Sequence, residues 1–124
     1  MRKILVFWVP LLAWFLVIYN VSSTPASDLP AISIPQGDKL FHLVQYFVLG
    51  ILLIRAFDYS NFNVSLAKIV FLAIIIAICI GVLDELHQRF VPGRSCDIFD
   101  FLVDCVGSFA GIFLYIADSK DRRG

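Results

Sequence analysis

The sequence predicts an all-α protein: an integral membrane bundle of four transmembrane helices, with both termini cytoplasmic and a single domain over residues 1–124. The chain is 60% hydrophobic and only 16% charged, whereas soluble domains are about 45–50% apolar and about 25% charged. Its apolar residues also gather in four runs of about 18–20 residues, the length that a helix needs to cross a bilayer. Helices are favoured over strands because lipid offers the backbone no hydrogen-bonding partner.

The four predicted spans cover residues 4–21, 40–57, 66–83 and 98–117. The first span follows Arg2-Lys3 and precedes Thr24-Pro25-Ala26, a pattern that resembles a secretory signal peptide. Its length and its two tryptophans favour an uncleaved first transmembrane helix instead. Both interpretations stay open at this point.

The basic residues predict the orientation, because cytoplasmic loops of membrane proteins carry an excess of Lys and Arg. If the chain crosses the membrane four times, segments 22–39 and 84–97 lie on the outer side. Acidic residues outnumber basic ones in these two segments. The net charge of zero therefore hides a basic inner face and an acidic outer face, and it argues against a nucleic-acid partner. The residues that fall on the inner side are Arg2, Lys3, Arg55, Lys68, Lys120, Arg122 and Arg123.

Span two begins with a polar stripe. Asp38, His42 and Tyr46 are spaced by four and share one helical face, which Gly50 continues, with Lys39 beside them. Such a stripe in a membrane helix is expected to face protein rather than lipid. It is either a helix cap at Asp38 with an interfacial Tyr46, or a binding face that contains His42.

Span three ends in a second polar group. Asp84 and Glu85 are followed by Gln88, which can share a face with either acid. Two acids at a helix C-terminus are unfavourable because the macrodipole there is negative, so a basic side chain or a bound cation is expected to compensate them. His87 is expected to be a solvated residue at the interface.

A tight turn is predicted at residues 91–94, where Pro92 and Gly93 stand at the two central positions. The turn places span four beside span three and directs Arg94 toward the acids.

Span four carries the longest stripe. Asp97, Asp100, Asp104, Gly107 and Gly111 are spaced 3, 4, 3 and 4 along one helical face. Helix capping explains part of the presence of the first two aspartates. It does not account for the third, which lies about 10 Å further along the helix. The two glycines form a G-x-x-x-G pattern, which allows two membrane helices to approach closely.

Taken in order, these motifs resemble the VanZ-like family over residues 38–111. That family often carries Asn where Asp104 stands here. The resemblance implies a small bacterial multi-pass protein of the cytoplasmic membrane. The family is named for a protein linked to resistance to the glycopeptide teicoplanin, and its biochemical activity is not established, so no reaction is implied. The motifs are Asp38-Lys39-x-x-His42-x-x-x-Tyr46, Asp84-Glu85-x-x-Gln88, Phe90-Val91-Pro92-Gly93-Arg94-Ser95-x-Asp97-x-x-Asp100 and Gly107-x-x-x-Gly111.

The first functional hypothesis is a binding module for an anionic lipid or a cell-envelope component related to glycopeptides. Lys39, His42, Arg89 and Arg94 are its candidate anion contacts, and membrane lipids are its expected partners. The full set of candidate binding residues is Asp38, Lys39, His42, Tyr46, Glu85, Gln88, Arg94, Asp97, Asp100 and Asp104.

Three other hypotheses stand beside it. An enzyme acting on lipid phosphates at the outer leaflet would use His42, Glu85 or Asp100 as acid or base. No cofactor or metal site is predicted, because zinc-ligand spacings are absent, although the carboxylates and His42 are a possible divalent-cation site.

A purely structural scaffold of ion pairs is the third hypothesis. A small transporter is the fourth, and the absence of charge within residues 4–21 argues against it.

Overall fold

The computed structural model of the chain describes residues 2–31, 33–60 and 63–123, except for the side chains of Lys3 and residues 121–123. The described residues form four α-helices and one 3₁₀ helix, with no strand among them. Each α-helix contains a stretch long and apolar enough to cross a membrane, which confirms the predicted fold class. The elements are α1 (Arg2–Ser23), the 3₁₀ helix Ala26–Asp28, α2 (Gly37–Ser60), α3 (Leu66–Gln88) and α4 (Ile98–Arg123).

Each predicted span lies within one observed helix, and every helix extends beyond its span. The predicted orientation across the membrane stays a prediction. Three of its seven basic side chains, those of Lys3, Arg122 and Arg123, lie outside the described side chains.

Large apolar side chains cover the outer surface of the bundle. Phe71 is 67% exposed, Leu83 63% and Phe113 57%. A soluble protein rarely leaves a contiguous apolar surface of this kind in water. The surface fits the hydrocarbon of a bilayer, as expected for a multi-pass membrane protein.

Helices α2 and α4 run parallel and form the most extensive contact of the bundle. Small residues make this contact possible: a Cβ atom on Gly107 would lie 2.5 Å from the carbonyl oxygen of Leu43. One on Gly111 would collide with the backbone of Phe47 in the same way. The glycines of the G-x-x-x-G pattern therefore lie where two backbones touch. Helix α4 also packs on α3, as the turn predicts, but that contact is smaller.

Helix α1 packs against α2 and α3 although its sequence carries no motif. The indole nitrogen of Trp14 donates to the carbonyl oxygen of Gln45 at 2.9 Å, and that of Trp8 donates to Ser60 Oγ at 2.9 Å. His87 is half-buried, with Nε2 at 2.9 Å from Ser23 Oγ and its ring stacked on Tyr19. His87, expected to be solvated, is therefore solvated only in part, because α1 covers one side of it.

We call the polar end of the bundle the end at which α1 and α3 finish and α2 and α4 begin. The predicted turn lies there: the Arg94 amide donates to the Val91 carbonyl at 3.1 Å, and Gly93 has a φ of +74°, which only glycine adopts readily. The Ala26 amide donates to the Pro92 carbonyl at 3.1 Å. This bond joins the α1–α2 loop to the α3–α4 turn.

Candidate functional site

One group of charges at the polar end forms an ion-pair group between α2 and α4. Lys39 Nζ lies 2.7 Å from Asp100 Oδ1 and 3.3 Å from Asp97 Oδ2. Asp38, which is exposed at the start of α2, lies 3.9 Å from the same nitrogen. This group ties the beginnings of the two parallel helices together, which is the role that the scaffold hypothesis assigns to charged pairs.

Asp97 also caps α4. Its Oδ1 accepts a hydrogen bond from the Phe99 amide at 2.8 Å, which satisfies one of the free N–H groups at the helix start. This bond and the neighbouring Lys39 hold the pKa of the Asp97 carboxyl below its usual range. Capping thus accounts for Asp97, as its position in the sequence suggests.

A second group, which we call the buried cluster, consists of His42, Asp84, Glu85 and Asp104. It brings together one residue of α2, two of α3 and one of α4. Each residue offers an oxygen or nitrogen atom within 4.8 Å of those offered by the others. All four are buried, and Asp104 is only 1% exposed. Three carboxyl groups are therefore held close together with little exposure to solvent.

Neighbouring groups hold the members of the buried cluster in place. Nδ1 of His42 lies at hydrogen-bond distance, 2.9 Å, from Oδ1 of Asp104. The backbone amide of Asp97 donates to Oε2 of Glu85 at 2.9 Å, and the Gln88 side chain donates to Oδ2 of Asp84 at 3.3 Å. The cluster is thus fixed by contacts from three helices.

Two carboxylate oxygens of the buried cluster have no donor. These are Oε1 of Glu85 and Oδ2 of Asp104, and both are buried. The hydroxyl of Tyr46 is also buried, and it lies beside Asp84. Buried polar atoms are nearly always hydrogen-bonded in proteins, so the two carboxylate oxygens are candidate contacts for a bound polar group or ion.

A cavity of about 700 Å³ opens beside the buried cluster at the polar end. His42, Asp84 and Asp100 form part of its polar wall, whereas Leu29 and Phe41 belong to its apolar wall. The cavity therefore combines charged groups with apolar surface, the mixture that an amphiphilic ligand needs.

Three hydrogen-bond donors with no partner line this cavity. They are Nη1 of Arg94, Nε2 of Gln45 and Oγ of Ser22, each of them buried. Because all three atoms can donate, the cavity is suited to a ligand rich in acceptor oxygens.

Some expected contacts are absent from the described residues. Arg94 lines the cavity but forms no salt bridge with a carboxylate, so neither it nor Lys39 compensates Asp84 and Glu85. Arg89 is exposed and does not line the cavity. It is therefore not an anion contact there, since it caps the end of α3 and lies outside the bundle.

Tyr46 is 0% exposed, because the helices packed against α2 cover it. Its interpretation as an interfacial residue is therefore wrong.

Sequence reasoning missed Gln45 and Ser22. Gln45 follows His42 by three positions, which places it on the same helical face, and this spacing was a usable signal. Ser22 stands at a helix end where serine is common, and nothing in the sequence distinguishes it.

The sequence of this chain matches the pattern of a known protein family over residues 3–117. The chain belongs to the VanZ/LLP1 family. The match covers all four helices, including α1, which carries none of the motifs. The resemblance inferred from the motifs is confirmed.

A VanZ/LLP1 assignment leaves the source of the chain open. An uncharacterized protein of the fission yeast Schizosaccharomyces pombe is 27% identical over 111 residues, which cover 90% of this chain. The chain spans 65% of that relative's length. Bacterial origin therefore stays a prediction, and so does the bacterial cytoplasmic membrane. No solved structure matches the chain.

Proposed function

We propose that the protein binds the phosphate-bearing headgroup of an anionic membrane lipid in the cavity at its polar end. The observation that carries this proposal is the set of three buried donors without partners, on Arg94, Gln45 and Ser22. A phosphate group offers several acceptor oxygens, and a guanidinium matches two of them at once.

The apolar wall of the cavity supports a lipid rather than a soluble anion. Leu29, Ile34 and Phe41 line the cavity next to its polar wall. Ile34 is 62% exposed and Phe41 45%, which leaves apolar surface for an acyl or prenyl chain. A similar chain in fission yeast also favours a lipid over a component of bacterial cell walls, because every cell membrane contains anionic lipids.

A binding experiment tests this function. The purified chain is reconstituted in nanodiscs, and its binding of phosphatidylglycerol is compared with that of phosphatidylcholine by native mass spectrometry. Hydrogen bonds to charged groups contribute about 1.5–3 kcal/mol, so Arg94→Ala is expected to weaken phosphatidylglycerol binding about 10–150-fold. Arg94→Lys should recover part of the affinity, because lysine keeps the positive charge but lacks the planar guanidinium that binds two phosphate oxygens at once.

Arg89→Ala is the matched control, because it removes the same kind of side chain five positions away and outside the cavity. Equal affinity of the Arg94→Ala and Arg89→Ala variants for phosphatidylglycerol would refute the proposal. The same two variants, expressed in a teicoplanin-sensitive bacterium, test the link to glycopeptide resistance that the family name suggests. Arg94→Ala should abolish any protection, and Arg89→Ala should not.

A second candidate function is an enzyme that acts on lipid phosphates. One observation favours it: His42 lines the cavity, and Asp104 holds its ring through Nδ1 at 2.9 Å. A carboxylate in this position orients an imidazole for proton transfer. Release of phosphate from polyprenyl phosphate or diphosphate by the wild-type chain, lost in His42→Asn, would support this function. No turnover would exclude these two substrates.

A further inference from the structure

We propose that the buried cluster is a binding site for one divalent transition-metal ion, with His42, Asp84, Glu85 and Asp104 as its ligands. The site adjoins the proposed lipid cavity and shares His42 and Asp84 with it, but it does not rest on the lipid proposal, because it can be tested with the metal alone.

The distances within the buried cluster suit a coordination sphere. Four potential ligand atoms lie within 4.8 Å of one another. Bonds from zinc to nitrogen or oxygen are about 2.0–2.2 Å, so the ligand atoms of a tetrahedral zinc ion lie about 3.3–3.6 Å apart. A separation of 4.8 Å therefore has to shorten by more than about 1 Å for all four atoms to bind one ion, and rotation about the side-chain torsions has to supply this movement.

The carboxyl groups of the buried cluster favour a bound cation. Asp84, Glu85 and Asp104 are 8%, 3% and 1% exposed, and buried charges are costly unless they are paired. Among the described residues, no Lys or Arg lies within 4.0 Å of these three carboxylates. Lys39 pairs with Asp97 and Asp100 instead. A dication is a compact charge that can neutralise the cluster from within.

The free oxygens of the cluster are the second observation, and they are independent of the charge count. Oδ1 of Asp104 is held by His42, and Oε2 of Glu85 is held by the Asp97 amide. The other oxygen of each carboxylate is buried without a donor. Metal ligands are commonly oriented in this way, with a protein group holding one atom of the side chain while another atom binds the ion.

The ligand types indicate which ions fit. One imidazole nitrogen and three carboxylate oxygens suit Zn²⁺ or Mn²⁺. Ca²⁺ takes six to eight oxygens and Mg²⁺ keeps several waters, so both are expected to bind more weakly. His42 and Asp84 line the cavity, which gives an ion a route to the cluster.

The test measures metal binding by the full chain in detergent. The protein is stripped with a chelator, dialysed against Zn²⁺ or Mn²⁺, and its metal content is measured by elemental analysis. We expect one equivalent per chain. Asp104→Asn should weaken binding by at least about tenfold, since loss of even a supporting residue commonly costs 10–100-fold. Asp118→Asn is the matched control, because it makes the same change on the same helix at an exposed residue.

Three results would overturn the site. They are a wild-type chain that retains no metal after dialysis, equal metal contents in the Asp104→Asn and Asp118→Asn variants, and tighter binding of Ca²⁺ than of Zn²⁺ and Mn²⁺. Circular dichroism verifies that each variant keeps its helices. If Asp104→Asn does not fold, Glu85→Gln takes its place in the comparison. The wild-type metal content decides the proposal even without either variant.

Discussion

Substitution of Gly107 by alanine tests the parallel contact between α2 and α4. The added Cβ would lie 2.5 Å from the carbonyl oxygen of Leu43 and 3.1 Å from the amide nitrogen of Phe47, whereas ordinary contacts begin at 3.4 Å. Both neighbours are backbone atoms of a helix, which cannot rotate away. Relief therefore requires the two helices to separate by about 1 Å along this stretch, at a cost typical of overpacking, about 1–3 kcal/mol.

Gly81→Ala is the control for this change. Its Cβ would meet the edge of the Phe101 ring at 3.3 Å and Cβ of Asp104 at 3.6 Å. The second is an ordinary contact, and the Phe101 side chain can shift to relieve the first. Both variants gain about 0.5–1 kcal/mol of helix propensity, so their difference isolates the clash. We expect Gly107→Ala to be less stable than Gly81→Ala by about 1–3 kcal/mol, or about 5–150-fold in the unfolding equilibrium. Unfolding in mixed micelles with increasing dodecyl sulfate, followed by tryptophan fluorescence, measures it. Equal stability of the two variants would refute the close backbone contact.

Three further predictions concern orientation, α1 and pH. With the polar end outside, Cys96, which is exposed in the α3–α4 turn, should react with a membrane-impermeant maleimide in intact cells. Labelling that requires permeabilised cells would contradict this orientation, and Cys96→Ser, which should lose the label, is the control for reaction at Cys79 or Cys105. Trp14→Phe should lower the free energy of unfolding by about 0.5–1.5 kcal/mol through loss of one hydrogen bond, and unchanged stability in the same micelle assay would count against that bond. Because the folded state lowers the pKa of Asp97, its charged cap should stabilise the protein above the usual aspartate pKa of about 3.9. That contribution should disappear as the pH falls through the lowered value, so Asp97→Asn should flatten the acid side of the stability profile, and parallel profiles would refute this.

Much of the fold follows from residue patterns. The four spans come from apolar runs, and the turn comes from Pro92 and Gly93. The stripes on spans two and four also predict that both helices face protein. In the structure these stripes face each other: Lys39 meets Asp100 and His42 meets Asp104, at separations of 61 and 62 residues. A nearly constant separation is what two parallel helices produce.

The division of the acids could not be predicted from spacing alone. Asp97, Asp100 and Asp104 form one stripe in the sequence, yet the first two pair with Lys39 and the third joins the buried cluster. The group that each aspartate joins depends on which α2 residue lies beside it along the helix axis. It also depends on whether α3 packs against that part of α4. The packing of α1 on the bundle could not be predicted for another reason. Its tryptophans donate hydrogen bonds to a backbone carbonyl and to a serine, and neither partner belongs to a recognisable sequence pattern.

The position of the aspartates on α4 has a consequence for how the protein is made. Helix α4 follows the other three described helices in the sequence, and its span is the least apolar of the four. Asp104 would be costly in lipid by itself, but its partner His42 belongs to α2, which precedes α4 in the chain. Contact with α2 therefore lowers the cost of placing Asp104 within the membrane, which links the insertion of α4 to its packing.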